Sequence, residues 1–237
     1  MITSVFSTDE TGILSLRKGE WFMSMKLALG IDFGSLSARA LLVDLKTGQE
    51  AATAVCLYQH GCMEDVLPSS GEKLKPGWAL QDPQDYLDAL SKLVPTVLKS
   101  SGASPEDIIG VGIDFTASTV LPILKDGTPL CFLPEFRNHR HAYAKMWKHH
   151  AAQDQACRMN DLAKKRGEPF LSRYGGKISE EWLFPKLLQT LEEAPDVYCA
   201  MDRFIEAADW IVMVLCGEER RSGGLAGYKA LWDKRSG

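Results

Sequence analysis

Asp32-Phe-Gly-Ser-Leu-Ser-Ala-Arg39 gathers in one short run the groups that meet a phosphate. Gly34 lets the backbone come close to an anion, and Ser35 and Ser37 offer hydroxyl and amide donors. Asp32 closes an apolar run and could hold Mg²⁺ through water, the arrangement hard cations prefer beside phosphates. Arg39 adds a fixed positive charge. A plain hairpin turn with a surface arginine fits the same residues, and the stretch alone does not choose between the two. Gly110-Val-Gly-Ile-Asp-Phe-Thr-Ala-Ser-Thr119 repeats the theme, an apolar strand running into small polar residues. Such strand ends commonly wall pockets in α/β folds, although a tightly packed turn reads the same way.

Between Arg137 and His150 lie four of the five histidines. No carboxylate or cysteine joins them at ligand spacing, so a solvated basic helix start is expected rather than a metal site. Trp147, inside this stretch, has the face on which the apolar side of a sugar ring stacks; core packing is its ordinary use. Tyr174-Gly-Gly-Lys-Ile-Ser179 precedes a helix that Ser179 can cap. Glu180 and Glu181 then favour the positive helix end and weigh against an anion there. Lys229, after the Arg220-Arg-Ser-Gly-Gly224 loop, reads by itself as a solvated lysine.

Strands must position these residues. Lys26–Asp32, Ala38–Asp44 and Ala51–Tyr58 are short apolar runs, and the link between the first two is too short for a crossover helix. They form a hairpin, whereas Rossmann and P-loop sites follow their glycines with a helix. Asp82 as N-cap and Pro83 at the first turn open a helix that Gly102 closes, with Pro95 expected to kink it. Ile108–Phe115, Val120–Leu124 and Leu130–Leu133 read as further strands. From about residue 143 the chain reads as helical, near 143–166, 180–193 and 203–216. The order predicts a one-domain α/β fold with a mixed sheet over residues 25–237, preceded by a disordered extension, residues 1–24.

With 45% hydrophobic and 24% charged residues, the chain has the apolar content for a core. A net charge of −4 gives no general field for nucleic acid. No apolar run reaches the ~18 residues of a membrane span. The six cysteines show no C-x-x-C spacing, so free thiols in a reducing cytoplasm are expected.

Several of these segments fall into a common order. Gly30-Ile-Asp-Phe-Gly-Ser, Gly77-Trp-Ala-Leu-Gln-Asp-Pro83, Gly112-Ile-Asp-Phe-Thr-Ala-Ser-Thr119, Trp147-Lys-His-His-Ala-Ala, Gly175-Gly-Lys-Ile-Ser-x-Glu-Trp182, Ala208-Asp-Trp210, Arg221-Ser and Ala226-Gly-Tyr-Lys-Ala-Leu-Trp232 follow one another. The order resembles the N-terminal domain of the FGGY carbohydrate kinases, in their ribulokinase branch, from about Met25 to the C-terminus. The resemblance implies an actin-like, ribonuclease-H-like ATPase fold with a mixed β-sheet flanked by helices. It implies ATP and Mg²⁺ as cofactors, a sugar and ATP as the small-molecule partners, and phosphorylation of a ketopentose such as L-ribulose at its 5-hydroxyl. A homodimer is compatible with it.

By likeness, Asp32 is the Mg²⁺-side carboxylate, and Gly34, Ser35, Ser37 and Arg39 belong to the first phosphate loop. Ala117 and Ser118 stand where glycerol-kinase-like relatives place an arginine and a glutamate, which leaves room for a larger sugar. Trp147 matches the substrate-side tryptophan, Lys229 the lysine that contacts the sugar, and Tyr174 lines the same site. Glu180 departs from an expected second serine, and Gly223-Gly224 from a more varied loop. The catalytic aspartate is expected beyond Gly237, so these residues alone are expected to show little turnover. A non-catalytic sugar-binding remnant, or a kinase for xylulose or ribitol, are the alternatives; Ala117 and Lys229 favour ribulose.

Overall fold

The structure, a computed structural model, describes residues 26–235; the extension expected over residues 1–24 lies outside them. Two four-stranded sheets carry the chain. The first, in the order β3-β2-β1-β7, comprises β1 (Leu27–Phe33), β2 (Ser37–Asp44), β3 (Glu50–Leu57) and β7 (Ile108–Phe115). β1 and β2 form the expected antiparallel hairpin, with Asp32 opposite Arg39. β7 runs parallel to β1 and sets Asp114 beside Asp32, which makes the sheet mixed.

Leu27, Leu29, Ile31 and Phe33 alternate along β1 onto one buried face. There they meet Tyr86, Ala89, Leu93 and Val97 of helix α1 (Pro83–Ser101). Phe33 stacks on Phe115 at 5.0 Å and meets the Tyr86 ring edge-on. α1 starts and stops as its sequence dictates: Asp82 accepts from the amide of Gln84, and Gly102 takes a left-handed φ of 70°. The helix continues through Pro95, because an uninterrupted apolar face on both sides of the proline keeps it docked on the sheet.

Short strands build the second sheet, in the order β10-β8-β9-β6: β6 (Leu80–Gln81), β8 (Val120–Ile123), β9 (Ala144–Lys145) and β10 (Arg203–Glu206). A small ribbon, β4 (Val66–Leu67) with β5 (Glu72–Lys73), lies to one side. Helices α2 (Gln153–Arg166), α3 (Phe170–Arg173), α4 (Leu183–Glu193), α5 (Pro195–Ala200), α6 (Ala207–Cys216) and α7 (Gly223–Lys229) complete the described residues.

Four expectations are corrected. Leu130–Leu133 is not a strand but a 3-10 turn over Leu130–Phe132, since only Pro129 bridges back to Ile123. The helix expected from residue 143 begins at Gln153, because Ala144 and Lys145 pair into the second sheet. Ser179 caps a turn rather than a helix: its hydroxyl accepts from Glu181, and α4 starts at Leu183. The 203–216 segment splits into β10 and α6, as Phe204 and Ile205 pair with β8. The six cysteines are all free, as expected. No helix among the described residues is long and apolar enough to cross a membrane.

Candidate functional site

At the hairpin tip the Gly34 amide donates to Ser37 O at 3.0 Å. A Cβ on Gly34 would stand 3.1 Å from that oxygen, so any larger residue would push the turn open by a few tenths of an ångström. Gln81, fully buried at the end of β6, holds the tip from below. Its amide donates to Ser35 O at 2.9 Å and Gly34 O at 3.3 Å, while its Oε1 accepts from the Tyr86 hydroxyl at 2.7 Å. Trp147 reaches over from the far side and donates from Nε1 to Ser35 Oγ at 3.1 Å. The tip and the aromatic wall are thus one unit.

Asp32 and Arg39 lie 3.5 Å apart, both half-exposed. With Asp114, Thr53, Gly30 and Gly112 they line an open hollow of about 660 Å³ on the face of the first sheet away from α1. Asp32 therefore keeps a carboxylate edge open to solvent while its charge faces a guanidinium.

The turn from β7 into β8 forms the other wall. Ala117 is half-buried and Ser118 fully buried, the latter at φ 73°. The Ser118 amide donates to Glu206 Oε2 at 2.9 Å, and its carbonyl accepts from Lys186 Nζ at 2.6 Å. Lys186 also donates to Met146 O at 2.7 Å, one residue before Trp147. Burial, only partly offset by Glu206, brings the Lys186 amine down to about 7. Burial likewise pushes the Glu206 carboxyl up to about 7.

Lys229 ends α7, mostly covered, 3.8 Å from the Glu181 carboxylate, whose other oxygen meets His150 Nε2 at 2.9 Å. Tyr174 ties this region together: its hydroxyl donates to Gly227 O at 2.6 Å and its ring meets Trp182 edge-on. Lys229 is therefore a restrained cation, not a solvated one, and Gly223-Gly224 open its helix behind the Ser222 cap instead of forming a loop.

The histidine stretch departs from the solvated helix start expected of it. His141 and His149 are buried edge-on against Trp78, beside the fully buried Lys145. Lys145 Nζ meets His141 Nδ1, Gln189 Oε1, Thr190 Oγ1 and Lys186 O. Burial, with Lys145 adding to it, holds both imidazoles well below the ordinary histidine range, so they are neutral. Among the described residues no group of three or more His, Cys, Asp or Glu is placed to hold a metal ion.

Gln81, Lys186, Glu206 and Glu181 were missed as site residues. Gln81 lies within the Gly77–Pro83 segment, and Lys186, Gln189 and Thr190 make a polar stripe at helical spacing on α4. That stripe was the available signal.

The mixed sheet flanked by helices is the fold of sugar kinases of the actin-like ATPase type. The chain matches a xylulose kinase from Rhodospirillum rubrum over 89% of its length and 38% of that chain, with TM-score 0.68 and 19% identity. It matches a gluconate kinase from Lactobacillus acidophilus over 90% of its length and 39% of that chain, with TM-score 0.66 and 17% identity. No protein-family model matches.

In sequence the chain is similar to ribulokinases. It is 55% identical to the ribulokinase of Bacillus licheniformis over 202 residues, 85% of this chain and 37% of that protein. Against the ribulokinase of Geobacillus thermodenitrificans identity is 52% over 215 residues, 91% of this chain and 38% of that protein. Against that of Mycolicibacterium smegmatis it is 50% over 207 residues. The chain thus spans 37–38% of the length of these relatives.

Proposed function

We propose that the chain supplies the sugar wall and a phosphate loop of an ATP-dependent ketopentose kinase that converts L-ribulose to L-ribulose 5-phosphate. The observation that carries this is the Trp147–Ser35 hydrogen bond, which joins an aromatic sugar platform to a glycine–serine turn. Phosphoryl transfer needs the acceptor hydroxyl and the γ-phosphate held within bonding distance, and such a junction serves that need.

Trp147 stacks on the apolar face of the sugar, Lys229 and Tyr174 line its polar edge, and the backbone around Ala117 and Ser118 closes the other side. The small Ala117 leaves the space a pentulose fills. Gly34, Ser35, Ser37 and Arg39 receive the phosphates, and the tight turn at Gly34 and the Arg39 charge fit an anion. Asp32, exposed at the strand end, fits a water-bridged Mg²⁺; bound there, the ion supplies charge neutralisation at the phosphates. We assign the general base to none of the described residues. Free thiols fit a cytoplasmic site of action, and neither nucleic acid nor a membrane enters the reading.

Calorimetric titration of the chain with L-ribulose, and separately with MgATP, tests it. The expected result is saturable L-ribulose binding, weakened at least about tenfold by Trp147→Ala and by Lys229→Ala. Binding unaffected by both substitutions, or none at millimolar sugar, overturns the assignment.

A further inference from the structure

We propose that Lys186 and Glu206 are positioning residues that lock Ser118 in its left-handed conformation and so fix the backbone of the sugar wall at Ala117. The inference rests on the sugar-kinase reading above and deepens it.

Ser118 is one of two non-glycine residues at positive φ among the described residues. An L-residue adopts that conformation at a cost, and serine most readily when its side chain repays it with a local hydrogen bond. Ser118 has no such return, for its hydroxyl is buried with no partner. The conformation is therefore imposed from outside, and the two groups that grip the residue are Lys186 at its carbonyl and Glu206 at its amide.

They come from different elements, α4 and β10, so neither can relax by moving the turn alone. Behind them the Ala207 amide bonds Thr119 O at 2.8 Å, and Thr116 and Thr119 share a hydroxyl–hydroxyl bond at 2.8 Å. The second Lys186 bond gives the clamp its functional sense. One amine holds both Ser118 O and Met146 O, and these carbonyls adjoin Ala117 and Trp147, the two sides between which the sugar would lie. The amine has two carbonyl acceptors within hydrogen-bond reach, one on each wall. Burying a lysine is unfavourable unless its geometry is used, and a methionine would fill the same volume without tying the two walls together.

Amide hydrogen exchange and L-ribulose titration of Lys186→Met, Glu206→Met and Glu206→Gln test the clamp. Glu206→Gln keeps an oxygen acceptor for the Ser118 amide and should stay within about threefold of the parent in both measurements. Lys186→Met and Glu206→Met should exchange the Ser118 and Thr119 amides at least about tenfold faster and bind L-ribulose at least about tenfold more weakly. Adding Ser118→Gly to Lys186→Met should recover most of that affinity, because glycine holds the left-handed conformation unaided. Loss of packing alone would not be rescued in this way. Should Lys186→Met not unfold cooperatively, Glu206→Met carries the test.

Unchanged exchange in both methionine variants, unweakened sugar binding, or failure of the glycine rescue overturns the proposal. If the parent chain binds no L-ribulose, the sugar reading falls first. The exchange rates still decide separately whether Lys186 and Glu206 hold the turn.

Discussion

Replacing Gln81 by methionine should destabilise the chain far more than a one-residue change at a loop foot would suggest. Gln81 is fully buried and makes three hydrogen bonds, two to the hairpin carbonyls and one from the Tyr86 hydroxyl. Methionine keeps the bulk, so little cavity forms. Tyr86 is itself fully buried, and its stranded hydroxyl costs about 1–3 kcal/mol. Ser35 and Gly34 are half-buried and can turn their carbonyls to water, which limits their loss to about 0.5–1 kcal/mol each. The total is about 3 kcal/mol, a fall of roughly 6–12 °C in Tm for a chain of this size. Urea and thermal unfolding, followed by circular dichroism, measure it. A double-mutant cycle with Tyr86→Phe isolates the stranded hydroxyl: removing it should return about 1–2 kcal/mol to the Gln81→Met variant. Loss below about 0.5 kcal/mol, or a strictly additive cycle, would refute the argument.

Three further outcomes are expected. Trp147→Phe keeps an aromatic face but loses the Ser35 bond, so L-ribulose affinity should drop less than for Trp147→Ala; equal losses in titration would show that stacking contributes nothing. Arg39→Ala removes one partner of a half-exposed ion pair, so unfolding should shift by less than about 1 kcal/mol while MgATP binding is lost; an unfolding shift without a binding change would reverse the assignment. The buried imidazoles set an acid limit. His141 and His149 are held below their ordinary value of 6.5 in the fold, so under pH 6.5 the unfolded chain takes up protons that the folded chain refuses. Each thus removes about 1.4 kcal/mol of stability per pH unit. Glu206 opposes them, because between 4.5 and about 7 its folded carboxyl keeps a proton that the unfolded one loses. Thermal melts between pH 5 and 6.5 should show stability falling on acidification, two histidines acting against one carboxyl, and a flat profile would contradict it.

What could be read from the sequence was local. The hairpin, β7 and α1 each carry their own signals: apolar alternation or a run, a capping Asp-Pro, a terminal glycine. In the second sheet only β8, the apolar run expected over Val120–Leu124, carries such a signal. β6 and β9 are two residues each, and their identity as strands comes from partners far along the chain, as with Leu80 opposite Lys145. Charge misled at Lys145 and the histidines, where polar residues signal solvent by default. Nothing in residues 137–150 announces the Gln189 and Thr190 acceptors waiting on α4. The motif residues were legible through resemblance, whereas Lys186 and Glu206, which touch only backbone in the site, needed the third dimension.

β7 ends the first sheet, with no strand paired to its far side among the described residues and with Ile109 and Val111 facing outward. Such a border is adhesive. Free amides and carbonyls along an apolar ribbon recruit whatever extended backbone arrives first, including the same ribbon of another molecule. Self-association at high concentration is thus expected to begin at such a margin, and the modest net charge of −4 does little to hold it off.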